Sequence, residues 1–206
     1  MARPREFQEG AIVNTVFRAF WRHGYAATSM RLLEAETGVG AASLYNAFGD
    51  KRALFRTALD AYMEAHIRSR MRRLEALAPV DRIEAFVHEV VSALADESGH
   101  ASCLVINSAM ELASADADLR RHVAGCLSEV ETFLRRALED AAARGDLPPN
   151  VPAAETAQGF MTLLLGLHVQ AKLRPGLAVL ERATRPMLSL LGRVADQVPS
   201  RPVRHS

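Results

Sequence analysis

The chain has 206 residues, 49% of them hydrophobic and 24% charged, and a net charge of +1. It contains no run of about 20 nearly uncharged residues, which argues against a transmembrane helix, and its start, "MARPREFQEG", lacks the apolar middle of a signal peptide. A cytoplasmic chain of one or two domains without a membrane partner is therefore expected, and its two cysteines, Cys103 and Cys126, are expected as thiols rather than a disulfide framework.

Charge is unevenly distributed. Residues 1–73 hold 12 Lys and Arg against 7 Asp and Glu, and the remainder hold 13 against 17. A basic front and an acidic back suggest an N-terminal module for a polyanion, with chance scatter of surface charge as the alternative.

In chain order the pattern is helical throughout, with no run that alternates with period two. Ile12, Val16, Ala19 and Phe20 recur at helical spacing up to a stop at Gly24. Thr28 is expected to cap a second helix with Met30, Leu32 and Leu33 inward, ending at Gly38. The stretch "GVGAASLYNAFGDK" then reads as a short helix between two glycine turns. Asp50 caps a long helix carrying Leu54, Phe55, Leu59, Tyr62, Ile67 and Leu74. Pro79 interrupts, and Asp81 is expected to cap a helix with Ile83, Phe86, Val87, Val90, Val91 and Leu94. "DESGHAS" reads as a loop, followed by helices at about 103–112, 118–144, 153–173 and 176–197. The expected fold is all-α with about nine helices: an N-terminal three-helix unit over residues 1–50, a helical bundle over 51–198 and a disordered tail at 199–206.

Thr28 to Phe48 has the layout of a helix-turn-helix, whose second helix enters the DNA major groove. Ala41, Ala42 and Ser43 would let that helix approach DNA closely. Leu44 and Phe48 would anchor it, and Tyr45 and Asn46 would reach a phosphate or base edge. Lys51 lies in the first turn of a helix, where a cation opposes the dipole, so a nearby phosphate would account for it. Arg3 and Arg5, in a short arm before the first helix, could contact phosphates or a flanking minor groove. The alternatives are a plain helical hairpin and a merely solvated terminus.

Residues from about 5 to 60 resemble the tetracycline-repressor (TetR/AcrR) family of bacterial transcription regulators. The resemblance runs through Ile12-Val13, Val16, Ala19-Phe20, Gly24-Tyr25, Thr28-Ser29, Leu33, Gly38-Val39, Ser43-Leu44-Tyr45, Phe48, Lys51 and Leu54-Phe55. "RPREF", Phe20-Trp21 and "SLYNAFGDKRALF" resemble a subgroup that includes a copper-responsive repressor of enteric bacteria. Many members carry Ser, Lys and Gly where this chain has Gly40, Ala41 and Ala42, which removes one phosphate contact and leaves the operator sequence open. The resemblance implies a homodimeric, non-enzymatic repressor of a palindromic double-stranded operator, with Thr28 among the DNA-facing residues. It also implies a C-terminal domain that dimerises and binds a small-molecule or thiol-reactive effector; no cofactor is expected.

The last two helices carry more apolar residues than one stripe needs, among them Leu164, Leu167, Leu180, Met187 and Leu191. A two-fold four-helix interface would use the excess, and so would helices wholly internal to one chain. "SCLVINSAMELA" resembles a Gly-Cys-Leu segment of the subgroup, with Ser102 in place of the glycine. In some relatives that cysteine senses electrophiles or oxidants, so Cys103 reads either as a sensor or as a small buried side chain. Phe86, Asn107, Met110, Phe133, Phe160, Met161 and His168 are candidates for an effector pocket, against ordinary core. His100, Cys103, His122 and Cys126 have metal-ligand spacing, which also arises by chance, so no metal is assigned. A cysteine enzyme using His100 or His122 lacks an Asn or Asp partner and an oxyanion-hole motif. A helical interaction protein without DNA leaves Tyr45, Lys51 and the charge asymmetry unexplained.

Overall fold

The computed structural model describes residues 3–95, 103–112, 116–173 and 176–192, with the side chains of 3–8 and of Leu112 excepted. Nine helices and no strand occur among them. Helices α1 (Arg3–Ala27), α2 (Met30–Thr37) and α3 (Ala41–Phe48) form the head. Helix α4 starts at Lys51–Tyr62, passes through a π-helical stretch at Met63–Arg68 and resumes over Ser69–Leu74. The body comprises α5 (Pro79–Ala95), α6 (Leu104–Leu112), α7 (Ala117–Arg144), α8 (Ala153–Ala171) and α9 (Leu177–Ser189).

Several boundaries differ from the sequence reading for local reasons. The helical path of α1 breaks at Gly24, where the stop is expected, at φ 78° and ψ 173°, and a short helical stretch follows to Ala27. The cap of α2 is Ser29, whose hydroxyl accepts from Leu32 N, and not Thr28. Helix α5 begins at Pro79 rather than after Asp81, since a first-turn proline gives up only an N–H that had no intrahelical partner. Helix α9 ends at Ser189 instead of running to 197; Leu190 to Gly192 form a turn with Gly192 at φ 78°. The tail at 199–206 lies outside the described residues. The Asp50 cap is as expected, its carboxylate 2.7 Å from Ala53 N.

The apolar residues gather into two cores. One is built on Phe20, Leu33, Leu44, Leu54, Phe55 and Leu59, and it also takes in Cys103 to Ile106 of the α6 region and Leu119, Val123 and Cys126 of α7. Phe20 meets Phe55 edge-on at 4.9 Å between ring centroids. The other is built on α5, the second half of α7, α8 and α9, around Ile83, Phe86, Leu134, Phe160 and Leu167. Helices α4 and α7 contribute to both cores, so the head is packed onto the body rather than tethered to it. Among the described residues no helix is long and apolar enough to cross a membrane.

Candidate functional site

Helix α3 follows α2 after the left-handed Gly38, at φ 68°, where an L side chain would be strained. Only Leu44 of α3 is buried, and it pins the helix to the first core. Ala42, Ser43, Tyr45 and Asn46 are exposed, Tyr45 with 48% of its surface open, and Ala41 is half-buried. The helix thus presents a low, uncharged ridge with two longer polar side chains.

Four expected DNA contacts look different in the structure. Thr28 is fully buried and its hydroxyl donates to Gly24 O at 2.6 Å, so it is spent on closing the α1 kink. Lys51 has a local explanation that the sequence did not reveal. Its Nζ donates to Ala26 O at 3.4 Å, at the negative end of α1, and lies 4.4 Å from the centre of the Tyr25 ring. Partial burial lowers its pKa from the usual lysine value, and Glu111 opposes that. Arg3 and Arg5 belong to the start of α1 rather than to an arm before it, and their side chains are outside the described ones.

The joint between head and body is polar and was not anticipated. Glu111, on α6, accepts from Tyr25 N at 2.8 Å and from Ala26 N with its other oxygen. The positive φ of Gly24 frees those two N–H groups, and a Cβ there would sit 2.8 Å from Glu111 Oε2. Arg52, on α4, pairs with Asp116 at 3.2 Å and with Asp118, at the N-terminus of α7. Asp116 also caps α7, accepting from Asp118 N and Leu119 N, so one carboxylate serves both helices.

A cavity of about 510 Å³ lies between the two cores. Phe17, Trp21, Tyr62 and His66 form one aromatic wall, with Tyr62 and His66 4.9 Å apart. Phe86, Val90, Met161, Leu164 and His168 form the opposite side, and Cys103 and Cys126 also border it. Of the expected pocket residues, Phe86, Cys103, Met161 and His168 do line it. Phe133 and Phe160 do not: Phe133 packs against Phe86 with the ring centroids 5.4 Å apart and the rings tilted, and Phe160 is fully buried core. Asn107 and Met110 border a separate opening near Gly24 and Glu111, and Met110 is 58% exposed.

Cavity electrostatics are set by burial. It holds the Cys103 thiol above its ordinary value, against the N–H groups of Ile106 and Val105 and the Tyr62 hydroxyl. Placement at a helix N-terminus therefore does not make Cys103 a resting thiolate. Burial likewise raises Tyr62 well above the usual tyrosine range and pushes the Cys126 thiol up to about 12, with Asp60 and Glu129 adding to it. The His168 pKa is lowered by burial, so the ring is neutral at neutral pH; its Nδ1 donates to Leu164 O at 2.7 Å, which leaves Nε2 as an acceptor. Arg18 and Arg70 supply positive charge at the aromatic wall, and Arg70 is paired with Glu89 at 3.1 Å.

The expected dimer contacts mostly point inward. Leu164, Leu167, Leu180 and Leu191 belong to the second core, and Met187 is half-buried against it. Val169, Leu173, Leu177, Val179 and Leu190 are the exposed apolar side chains of this region, Leu173 at 82%. Of the four metal candidates, His100 lies outside the described residues. His122 and Cys126 converge with Asp60, a residue that the spacing argument missed because it comes from a different helix.

Comparison with known proteins gives two family matches. Residues 12–58 match the model for "Bacterial regulatory proteins, tetR family", and residues 79–187 match that for "Tetracyclin repressor-like, C-terminal domain". The chain is 26% identical over 172 residues to the HTH-type transcriptional repressor ComR of Escherichia coli, covering 82% of each. It is 32% identical over 148 residues to the uncharacterized HTH-type transcriptional regulator YezE of Bacillus subtilis, covering 71% of this chain and 76% of that one. Among solved structures, a cysteine mutant of the regulator CifR complexed with 26-base-pair operator DNA superposes with a TM-score of 0.77 at 30% identity, covering 89% of this chain and 98% of that one. A regulator from Chloroflexus aurantiacus gives a TM-score of 0.80 at 26% identity, covering 92% and 97%. These relatives are transcription regulators and not enzymes, which removes the cysteine-nucleophile reading.

Proposed function

The chain belongs to the tetR family of bacterial regulatory proteins, and from that premise we propose that it is a cytoplasmic, homodimeric repressor of a palindromic operator, released by a ligand of the body cavity. The observation that carries the reading is the α3 surface. A helix anchored by Leu44 leaves Ala42, Ser43, Tyr45 and Asn46 outward, as close approach to a groove requires. Ala41, Lys51, Arg3 and Arg5 complete the proposed DNA face. Lys51 holds the end of α1 and keeps enough exposure to meet a phosphate. Residues 1–50 act as the reading head, and 51–198 hold effector and partner.

The partner surface follows from exposure. Val169 and Leu173 at the end of α8, with Leu177, Val179 and Leu190 of the α9 region, form the apolar surface that a two-fold partner would cover. A dimer would set two α3 helices against successive major grooves. An effector in the cavity would touch α1, α4, α5, α6, α7 and α8 at once. By favouring one packing of α4 and α6 against the head, it would shift the Glu111 and Arg52 contacts and change the spacing of the recognition helices. The mostly apolar, aromatic lining suits an apolar ligand, with an anionic end directed to Arg18 or Arg70. A thiol-reactive ligand would meet Cys103, whose burial keeps it protonated until such a ligand enters.

The test is a titration of the purified chain against DNA from upstream of its own gene, at two salt concentrations, with and without a thiol-reactive electrophile. Binding that weakens steeply with salt supports the reading, because each neutralised phosphate releases a counterion. Loss of binding on modification, absent in Cys103→Ser, assigns release to that thiol. Salt-independent association with DNA would overturn the reading.

A further inference from the structure

At the edge of the cavity, three side chains with metal-ligating atoms converge where α4 crosses α7. Asp60 comes from α4, and His122 and Cys126 share one face of α7 at i, i+4 spacing. One ligand atom from each lies within 4.8 Å of the other two. His122 Nε2 is shielded from solvent and faces Asp60 Oδ1 at 3.1 Å, an ion-pair distance that lacks hydrogen-bond geometry. Buried polar atoms are rarely left in that condition. Helix α4 enters its π-helical stretch at Met63, one turn past Asp60, and such stretches occur often at functional sites. The adjacent carboxylate, Glu129, is fully engaged, with Arg68 donating to both of its oxygens at 2.7 Å. Asp60 is exposed and gives the site an entrance, while Cys126 is 3% exposed and forms its floor.

We propose that Asp60, His122 and Cys126 hold a borderline divalent cation of the Zn²⁺ type. One oxygen, one nitrogen and one sulfur donor fit that class and reject hard ions such as Mg²⁺ and Ca²⁺, which demand oxygen. Tetrahedral ligand atoms stand about 3.5 Å apart, so a rotamer change at the exposed Asp60 closes the set. Coordination sends the Cys126 proton to solvent. The cation takes its fourth ligand from water, which leaves an exchangeable position. Occupancy would tie α4, which follows the recognition helix directly, to the long helix of the body. The site shares only Cys126 with the cavity and stands independently of any effector bound there.

The test uses Co²⁺ as a spectroscopic stand-in, titrated into the purified full-length chain and then displaced with Zn²⁺. The expected result is one Co²⁺ per chain, with tetrahedral visible bands and a sulfur-to-cobalt charge-transfer band, both abolished by Zn²⁺. Cys126→Ser loses the charge-transfer band and Cys103→Ser keeps it. Asp60→Asn, at an exposed position that leaves the core untouched, weakens binding by about tenfold or more. The absence of a charge-transfer band in the unaltered chain overturns the proposal. So does a band that survives Cys126→Ser, or an affinity that Asp60→Asn leaves unchanged.

Discussion

Helices α3 and α8 are both nearly free of charge, "AASLYNAF" having none and "AAETAQGFMTLLLGLHVQA" only Glu155, yet they do opposite things. Helix α3 buries Leu44 alone and leaves its small and polar side chains outside. Helix α8 buries eight of its 19 residues, from Thr156 to Ala171, and still exposes Val169. Lack of charge therefore has two physical meanings: on the proposed DNA face short side chains would clear a path for a polyanion, and long apolar ones fill a core.

The largest effects test whether head and body are one folding unit. Phe55→Ala in the first core and Phe160→Ala in the second should each lower stability by about 3–5 kcal/mol in urea titrations. Because α4 and α7 serve both cores, each variant should still unfold in a single transition; a split transition would separate the two regions. Next in size is the contrast within α8 and the residues just after it. Leu173→Glu should leave the helical signal intact and weaken self-association by about 2 kcal/mol or more in sedimentation. Leu164→Glu, at 4% exposure, should prevent folding instead.

Smaller effects probe the joint and the reading surface. Gly24→Ala should lower thermal stability by about 1–3 kcal/mol, since the new residue must adopt a positive φ beside Glu111. Adding Glu111→Ala should remove the steric part, leave the backbone strain and lose the two hydrogen bonds that Glu111 accepts. Tyr45→Phe should leave the melting temperature unchanged and weaken operator binding by about 1 kcal/mol, the worth of one neutral hydrogen bond. The smallest is the pH response of the cavity. Burial lowers the His168 pKa, and burial with Arg70 and Arg18 lowers that of His66. The unfolded chain therefore binds these protons first as pH falls. Their stabilising contribution is complete above the ordinary histidine value and is lost on acidification through the lowered one. His168→Gln should flatten the fall in melting temperature between neutral and mildly acidic pH.

Much of the head was legible before any coordinates, because its determinants are local. Turn glycines at 38, 40 and 49, the Asp50 cap and the inward spacing of Phe20, Leu33, Leu44 and Phe55 each act within one or two helical turns. The cap of α2 went to Ser29 rather than Thr28 because the Gly24 kink recruited the threonine hydroxyl, a contact that spacing alone does not rank. Half of the expected cavity residues line it. Phe133 and Phe160 share its helices but face the packed core, and one apolar face cannot be told from another when a helix is buried on several sides.

The sequence by itself determined the helices, most of their caps, the helix-turn-helix and the family, since backbone propensity, turn chemistry and hydrophobic period act over a few residues. Only the tertiary structure decided what distant residues do to one another. It turned Leu164, Leu167, Leu180 and Leu191 inward, gave Lys51 an intramolecular partner, set Glu111 against Tyr25 and Ala26, and brought Asp60 to His122 and Cys126. Each of these depends on the angle and register at which two helices cross. Those are fixed by the summed packing of both cores, so no single stretch of the chain encodes them.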